Sequence, residues 1–173
     1  MTKPILTLPD KRLCQRSQGV TAFDKTLQNL IVDLTDTLIS QTDPVGLGLS
    51  APQIGVFRRV FVARIKRKVK AFVNPKILKF SQKEITYLEG CFSVPDLYGH
   101  VARPAGIDLE AQDKQGKKSR GRYKGLPARI IQHEIDHLDG VLFTDHIHTQ
   151  NGKLFKVEKD KKGKEQFVEM TPL

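Results

Sequence analysis

The segment Gln132-His133-Glu134-Ile135-Asp136-His137 places two histidines four residues apart, with a glutamate directly after the first. On a helix that spacing is about one turn, so both imidazoles leave one face and can bind a single metal ion. Glu134 then stands beside the open coordination position, where it can take a proton from water. A hydrolytic transition-metal site needs three protein ligands and one free position, so a third ligand must come from elsewhere. Cys91 is the best candidate. It lies in Leu88-Glu89-Gly90-Cys91-Phe92-Ser93-Val94-Pro95, an apolar stretch broken by glycine, and is one of only two cysteines. The other, Cys14, follows Lys11-Arg12-Leu13 without a histidine or carboxylate cluster and reads as a passive thiol. Two cysteines in 173 residues do not make a disulfide framework. A third segment, Gly46-Leu47-Gly48-Leu49-Ser50-Ala51-Pro52-Gln53-Ile54-Gly55, lets an extended peptide approach the backbone closely and ends near a glutamine that can donate an amide N–H.

These residues need a frame. Leu27, Leu30, Ile31, Leu34 and Leu38 recur at helical spacing, which predicts an amphipathic helix over Phe23 to Leu38 that ends in a loop containing Asp43-Pro44 and Gly46. Apolar and basic residues alternate over Val60 to Ala63 and Lys68 to Val73, as in a hairpin turning at Lys66-Arg67-Lys68. Further strands are predicted at Ile77 to Phe80, Glu84 to Leu88, Ile107 to Ala111 and Gly121 to Lys124, with a turn over Asp113 to Lys117. The histidine helix should open near Pro127 and stop near Gly140. Ile130, His133, Glu134 and His137 share one of its faces, and Ile131, Ile135 and Leu138 the other, so it should be buried on both sides. Leu154 to Glu158 and Gln166 to Met170 alternate around Asp160 to Lys164, which predicts a C-terminal hairpin. The expected fold class is α+β: mixed or antiparallel strands around a central metal-binding helix, with one N-terminal helix. One domain is expected over 1–173, its core about 5–146 and its hairpin tail 151–173.

With 39% hydrophobic and 28% charged residues the composition excludes a disordered chain, and no apolar run approaches the roughly 20 residues of a membrane span. The N-terminus carries no secretory or transit pattern, so a bacterial-type cytoplasmic location is expected, a processed organellar form being the alternative. The net charge is +10, and Arg58 to Lys83 holds ten basic residues and no acidic one, equal to the whole excess. That stretch reads either as edge strands protected by lysine or as a footprint for a polyanion.

The three segments together resemble peptide deformylase. That family carries, in this order, a glycine-rich segment ending in glutamine, Glu-Gly-Cys-Leu-Ser, and His-Glu-x-Asp-His; here they stand at Gly46 to Gln53, Glu89 to Ser93 and His133 to His137. The likeness spans about Ile5 to His146. It implies one divalent metal ion, Fe2+ first and Zn2+, Ni2+ or Co2+ as substitutes, on Cys91, His133 and His137. It implies Glu134 as the proton carrier, and Gln53 with the backbone N–H of Phe92 as donors to the formyl oxygen. Substrate main chain would pair near Leu47, Gly48 and Gly90, and the methionine side chain would enter a pocket near Leu47, Leu126, Ile130 and the His133 ring. The substrates implied are formyl-methionyl nascent peptides, met by a monomer with no membrane partner. The tail does not resemble the C-terminal helix with which some members dock on the ribosome, so the basic surface 58–83 is the candidate ribosome contact.

Four positions depart from the usual family pattern: Ser50 replaces alanine, Phe92 leucine, Tyr98 an arginine of some bacterial members, and Arg129 precedes a pocket residue. Glu89 and Arg103 are expected to form a structural ion pair, and Asp136 to stiffen the helix. A zinc endopeptidase shares His-Glu-x-x-His but takes its third ligand downstream, which leaves Cys91 and Gln53 without a role. A non-catalytic RNA- or ribosome-binding relative would have no use for an intact ligand set.

Overall fold

The computed structural model describes residues 1–159 and 164–170. After an N-terminal segment, α1 spans Lys25–Ser40, two residues later at its start than the periodicity places it, because Asp24 is the cap: its carboxylate accepts from the Leu27 N–H at 3.1 Å. The apolar stripe of α1, Leu27, Ile31, Leu34 and Leu38, is buried against the first two strands of a sheet. These are β1 (Gly48–Ser50) and β2 (Val60–Ile65), and β3 (Lys68–Phe80) pairs next. Here the structure corrects the sequence reading, which splits β3 in two. Asn74, at φ 49°, and register shifts after Val73 and Ile77 bend one strand without ending it.

A second sheet begins with β4 (Glu84–Cys91) and β5 (Val94–Pro104). Then β6 (Gly106–Gln112) and β7 (Lys118–Lys124) complete the first sheet, in the order β1-β2-β3-β6-β7. All named strand pairs are antiparallel among the described residues.

Helix α2, Leu126–Asp139, lies against both sheets and ends where expected. Gly140 takes φ 74° and its N–H donates to His137 O at 3.2 Å, an end that only a residue tolerant of left-handed backbone makes without strain. A Cβ there would also lie 2.5 Å from the Cys14 carbonyl oxygen, so this glycine is fixed twice over. Ile131, Ile135 and Leu138 join Phe61, Phe72 and Leu109 in the core, and Glu134 and His137 are buried on the other side, so both faces of α2 are covered. A short helix α3 (Phe143–Thr149) follows, which the sequence reading lacks.

The C-terminal hairpin is present as β8 (Leu154–Lys159) and β9 (Glu165–Met170), joined to β5 in the order β4-β5-β8-β9. Of the expected turn at Asp160 to Lys164, residues 160–163 lie outside the described residues. The class is α+β. Among the described residues no helix is long and apolar enough to cross a membrane.

Candidate active site

Three elements meet at one point. The α2 helix presents His133, Glu134 and His137 from successive turns, β4 ends at Cys91, and a 3-10 turn over Ala51–Ile54 carries Gln53. One ligand atom each from Cys91, His133 and His137 lies within 4.8 Å of the others, and Cys91 Sγ is 3.2 Å from His137 Nε2. One thiolate and two imidazoles form a donor set that suits a divalent transition metal, and three protein donors is the number that leaves a position for water. The upstream cysteine also removes the endopeptidase reading, which needs a downstream ligand.

Of the three donor residues, His133 is held by a network of largely buried charge. His133 Nδ1 is 3.0 Å from Glu89 Oε2, so its Nε2 is the nitrogen left for the ligand side. Glu89 in turn receives Arg103 Nε at 2.6 Å, Arg103 Nη2 at 3.0 Å and Arg129 Nη1 at 2.5 Å. Arg103 extends the chain to Asp136 Oδ2 at 2.7 Å, which also meets His146 Nε2 at 2.9 Å. The expected Glu89 to Arg103 pair is therefore present, and Asp136 ties α2 to β5 and α3. His146 is part of this chain of contacts through Asp136.

The electrostatics follow from those contacts. Burial pushes the Glu89 carboxyl up, but His133 and Arg103 overcome it and hold the group well below the ordinary carboxylate range. Burial likewise opposes ionisation of Cys91, yet the two imidazoles draw its thiol well below the usual value. Burial disfavours a charged His133, but Cys91 and Glu89 raise it well above the ordinary imidazole value. Without metal, the pocket thus favours a thiolate among imidazoles, the form in which cysteine is a ligand. Glu134 is shifted the other way: burial raises its carboxyl, against the opposing pull of His133, His137 and Ser50.

Glycine at position 48 has a direct reason. A Cβ there would stand 2.3 Å from Glu134 Oε1, so the carboxylate occupies the space a side chain would fill. Gly90 is similarly crowded, its Cβ position lying 2.5 Å from the Tyr98 ring. Gln53 is buried, its Oε1 accepting from the Ser50 N–H at 2.8 Å, while Nε2 donates to Ser93 Oγ at 3.1 Å and Cys91 Sγ at 3.4 Å. Phe92 is the half-buried turn residue directly after Cys91. Of the apolar candidates, Ile130 is buried within the core cluster, whereas Leu47 and Leu126 are 40% and 53% exposed.

Three residues at the site carry contacts that sequence reasoning did not assign. Ser93 lies inside the cysteine motif but shows its partner, Gln53, only in three dimensions. Arg129 bonds Glu89 and the carbonyls of Val101 and Ile85, and stands 5.8 Å from the Tyr87 ring centroid. It buttresses the ligand network from behind, which explains why an arginine sits so close to the helix core. Ser50 binds Glu134 itself.

Comparison with known proteins agrees with this constellation. The family model for polypeptide deformylase matches residues 2–153. A peptide deformylase of Rhizobium meliloti is 41% identical over 150 residues, covering 84% of this chain and 84% of its own length. Peptide deformylase 1 of Bacillus subtilis is 42% identical over 147 residues, covering 84% and 89%. The crystal structure of a peptide deformylase from Legionella pneumophila superposes with TM-score 0.79 at 42% identity, over 84% of this chain and 86% of that one. The Thermotoga maritima peptide deformylase gives TM-score 0.80 at 34% identity, over 84% and 97%. With its Cys-His-His group beside a buried glutamate, the chain belongs to the polypeptide deformylase family, metal-binding hydrolases that remove the formyl group from nascent polypeptides.

Proposed function

We propose that the reaction runs on one divalent ion, Fe2+ first and Zn2+, Ni2+ or Co2+ as substitutes, held by Cys91, His133 and His137. The observation that carries this reading is the convergence of those three side chains beside the buried carboxylate of Glu134. When bound, the ion supplies Lewis acidity toward the formyl oxygen and lowers the pKa of the attacking water. Glu134 takes a proton from that water as its oxygen adds to the formyl carbon. It returns the proton to the amine nitrogen as the C–N bond breaks, giving formate and a free amino terminus. Negative charge on the formyl oxygen is met by the Gln53 amide and the Phe92 N–H. The Gln53 amide has two N–H groups, one on Ser93 Oγ at 3.1 Å and the other on Cys91 Sγ at 3.4 Å, and the second is the one released to the formyl oxygen once that sulfur is engaged by the metal.

The substrate main chain adds between two sheet edges. β1 and β4 are the terminal strands of their sheets, and both border the site, so Leu47, Gly48 and Gly90 offer backbone partners to an extended peptide. Leu126 and Ile130, with Leu47, receive the methionine side chain. Backbone pairing makes the rest of the sequence nearly immaterial, as suits substrates that share only formyl-methionine. Such substrates place the protein in a bacterial-type cytoplasm, where one domain acts as a monomer. The Fe2+-loaded protein, kept anaerobic, should release formate from a formyl-methionyl tripeptide and leave the acetylated peptide intact. Equal cleavage of both, or internal cleavage without formate, would reject this reading.

The ribosome contact falls to the basic β2–β3 turn. Arg59 pairs with Asp139 at 2.7 Å and Arg64 donates to Gly46 O at 3.2 Å, so these two are engaged within the fold. Lys66, Arg67, Lys68 and Lys70 are exposed around the turn. Affinity for ribosomes should fall steeply with added salt, and fall again when Arg67, Lys68 and Lys70 are neutralised. Salt-independent binding would remove this surface from consideration.

A further inference from the structure

Strand β1 turns two positions of one face toward Glu134. Residues two apart on a strand point the same way, and here they are Gly48 and Ser50, while Leu49 between them is buried in the α1 cluster. Gly48 has no side chain where Glu134 Oε1 lies, whereas the Ser50 hydroxyl is 2.6 Å from Glu134 Oε2 and 2.9 Å from the Glu134 carbonyl oxygen. A hydroxyl has one hydrogen to donate, and the shorter distance is that of a charge-assisted bond to a carboxylate. The two oxygens of Glu134 are therefore not equivalent: one is bound, and the other faces the gap left by glycine. The serine is itself immobile, being 0% exposed and bonded through its N–H to Gln53 Oε1 at 2.8 Å.

We propose that in this chain, which has serine where the family usually has alanine, Ser50 is a positioning residue: it commits Glu134 Oε2 to a hydrogen bond and so leaves Oε1, over Gly48, as the oxygen that exchanges the proton. This rests on the role of Glu134 given above. A carboxylate turned about its last bond would still be present and still buried, but its proton-carrying oxygen would be displaced. A displacement on the order of 1 Å in a reacting group can cost about a hundredfold in rate.

The test is Ser50→Ala, assayed as the Fe2+-loaded protein on a formyl-methionyl tripeptide beside wild type and Glu134→Gln. A loss of kcat of tenfold or more is expected, on the order allowed for misplaced catalytic groups. KM and the bound metal per chain should stay at the wild-type values, while the melting temperature falls modestly through the loss of one hydrogen bond to a buried carboxylate. In the Glu134→Gln background, Ser50→Ala should have little further effect, since the hydroxyl acts through that carboxylate. Unchanged kcat would overturn the proposal, as would the same proportional loss in both backgrounds. A drop in melting temperature with loss of metal would assign the hydroxyl to holding β1 against α2 instead. A wild-type protein that releases no formate would overturn the role of Glu134, and this proposal with it; an active wild type with an unaffected Ser50→Ala overturns this proposal alone.

Discussion

Glu134→Gln is expected to lower kcat by about a thousandfold, within the range for loss of a general acid–base group. The amide has nearly the shape of the carboxylate and can still accept from Ser50 Oγ through its oxygen, so the helix and the ligands should be undisturbed. Metal content should stay at one ion per chain, and KM for a formyl tripeptide should change little, because the group acts on the proton and not on the peptide. Steady-state kinetics with metal analysis on the same sample checks both halves. Loss of metal together with activity would instead mark Glu134 as a residue that shapes the ligand site.

The second large effect concerns stability. Glu89→Gln should destabilise the fold by about 3 kcal/mol, because breaking a buried ion pair leaves uncompensated charge. Arg103 is 4% exposed and would keep only Asp136 as an anionic partner, and Arg129 would keep only neutral oxygens. Metal affinity should fall about 10- to 100-fold, since His133 loses the carboxylate that orients its ring. The pH dependence has a definite sign. The carboxyl of Glu89 is lowered in the folded protein, so its contribution is complete above the unfolded value of about 4.3 and is lost as pH falls toward the folded value. The gap between wild type and variant should therefore be constant near neutrality and narrow below about pH 4. Denaturant unfolding at several pH values measures it; a gap that widens in acid would contradict the assignment.

The grouping of Cys91, His133 and His137 was legible because its constraint is local or chemical. Two histidines on one helical turn need no tertiary knowledge, and a hydrolytic ion needs a third donor, for which Cys91 was the best candidate. The bounds of α2 were legible too, since Pro127 and Gly140 mark helix ends by backbone geometry alone. Strand β5 was missed because Pro95, Asp96 at φ 63°, Gly99 and Pro104 break its pattern; its register comes from β4, which only the fold supplies. β1 is three residues long, too short to show a period. α3 lacks a usual capping residue at Leu142, and Asp145 instead reaches back to the Leu142 N–H at 2.8 Å. The bonds of Ser50, Ser93 and Arg129 join segments far apart in the chain, and no pattern along the sequence encodes such a pairing.

In the function proposed, one ion on Cys91, His133 and His137 makes this chain a deformylase. This is tested most directly by titrating metal-free protein with Fe2+ under anaerobic conditions while formate release from a formyl-methionyl tripeptide is followed. Activity should rise from nothing in proportion to added metal and break at one ion per chain, with no break in a Cys91→Ala variant. Formate from metal-free protein, or a fully loaded site that releases none, would contradict the account.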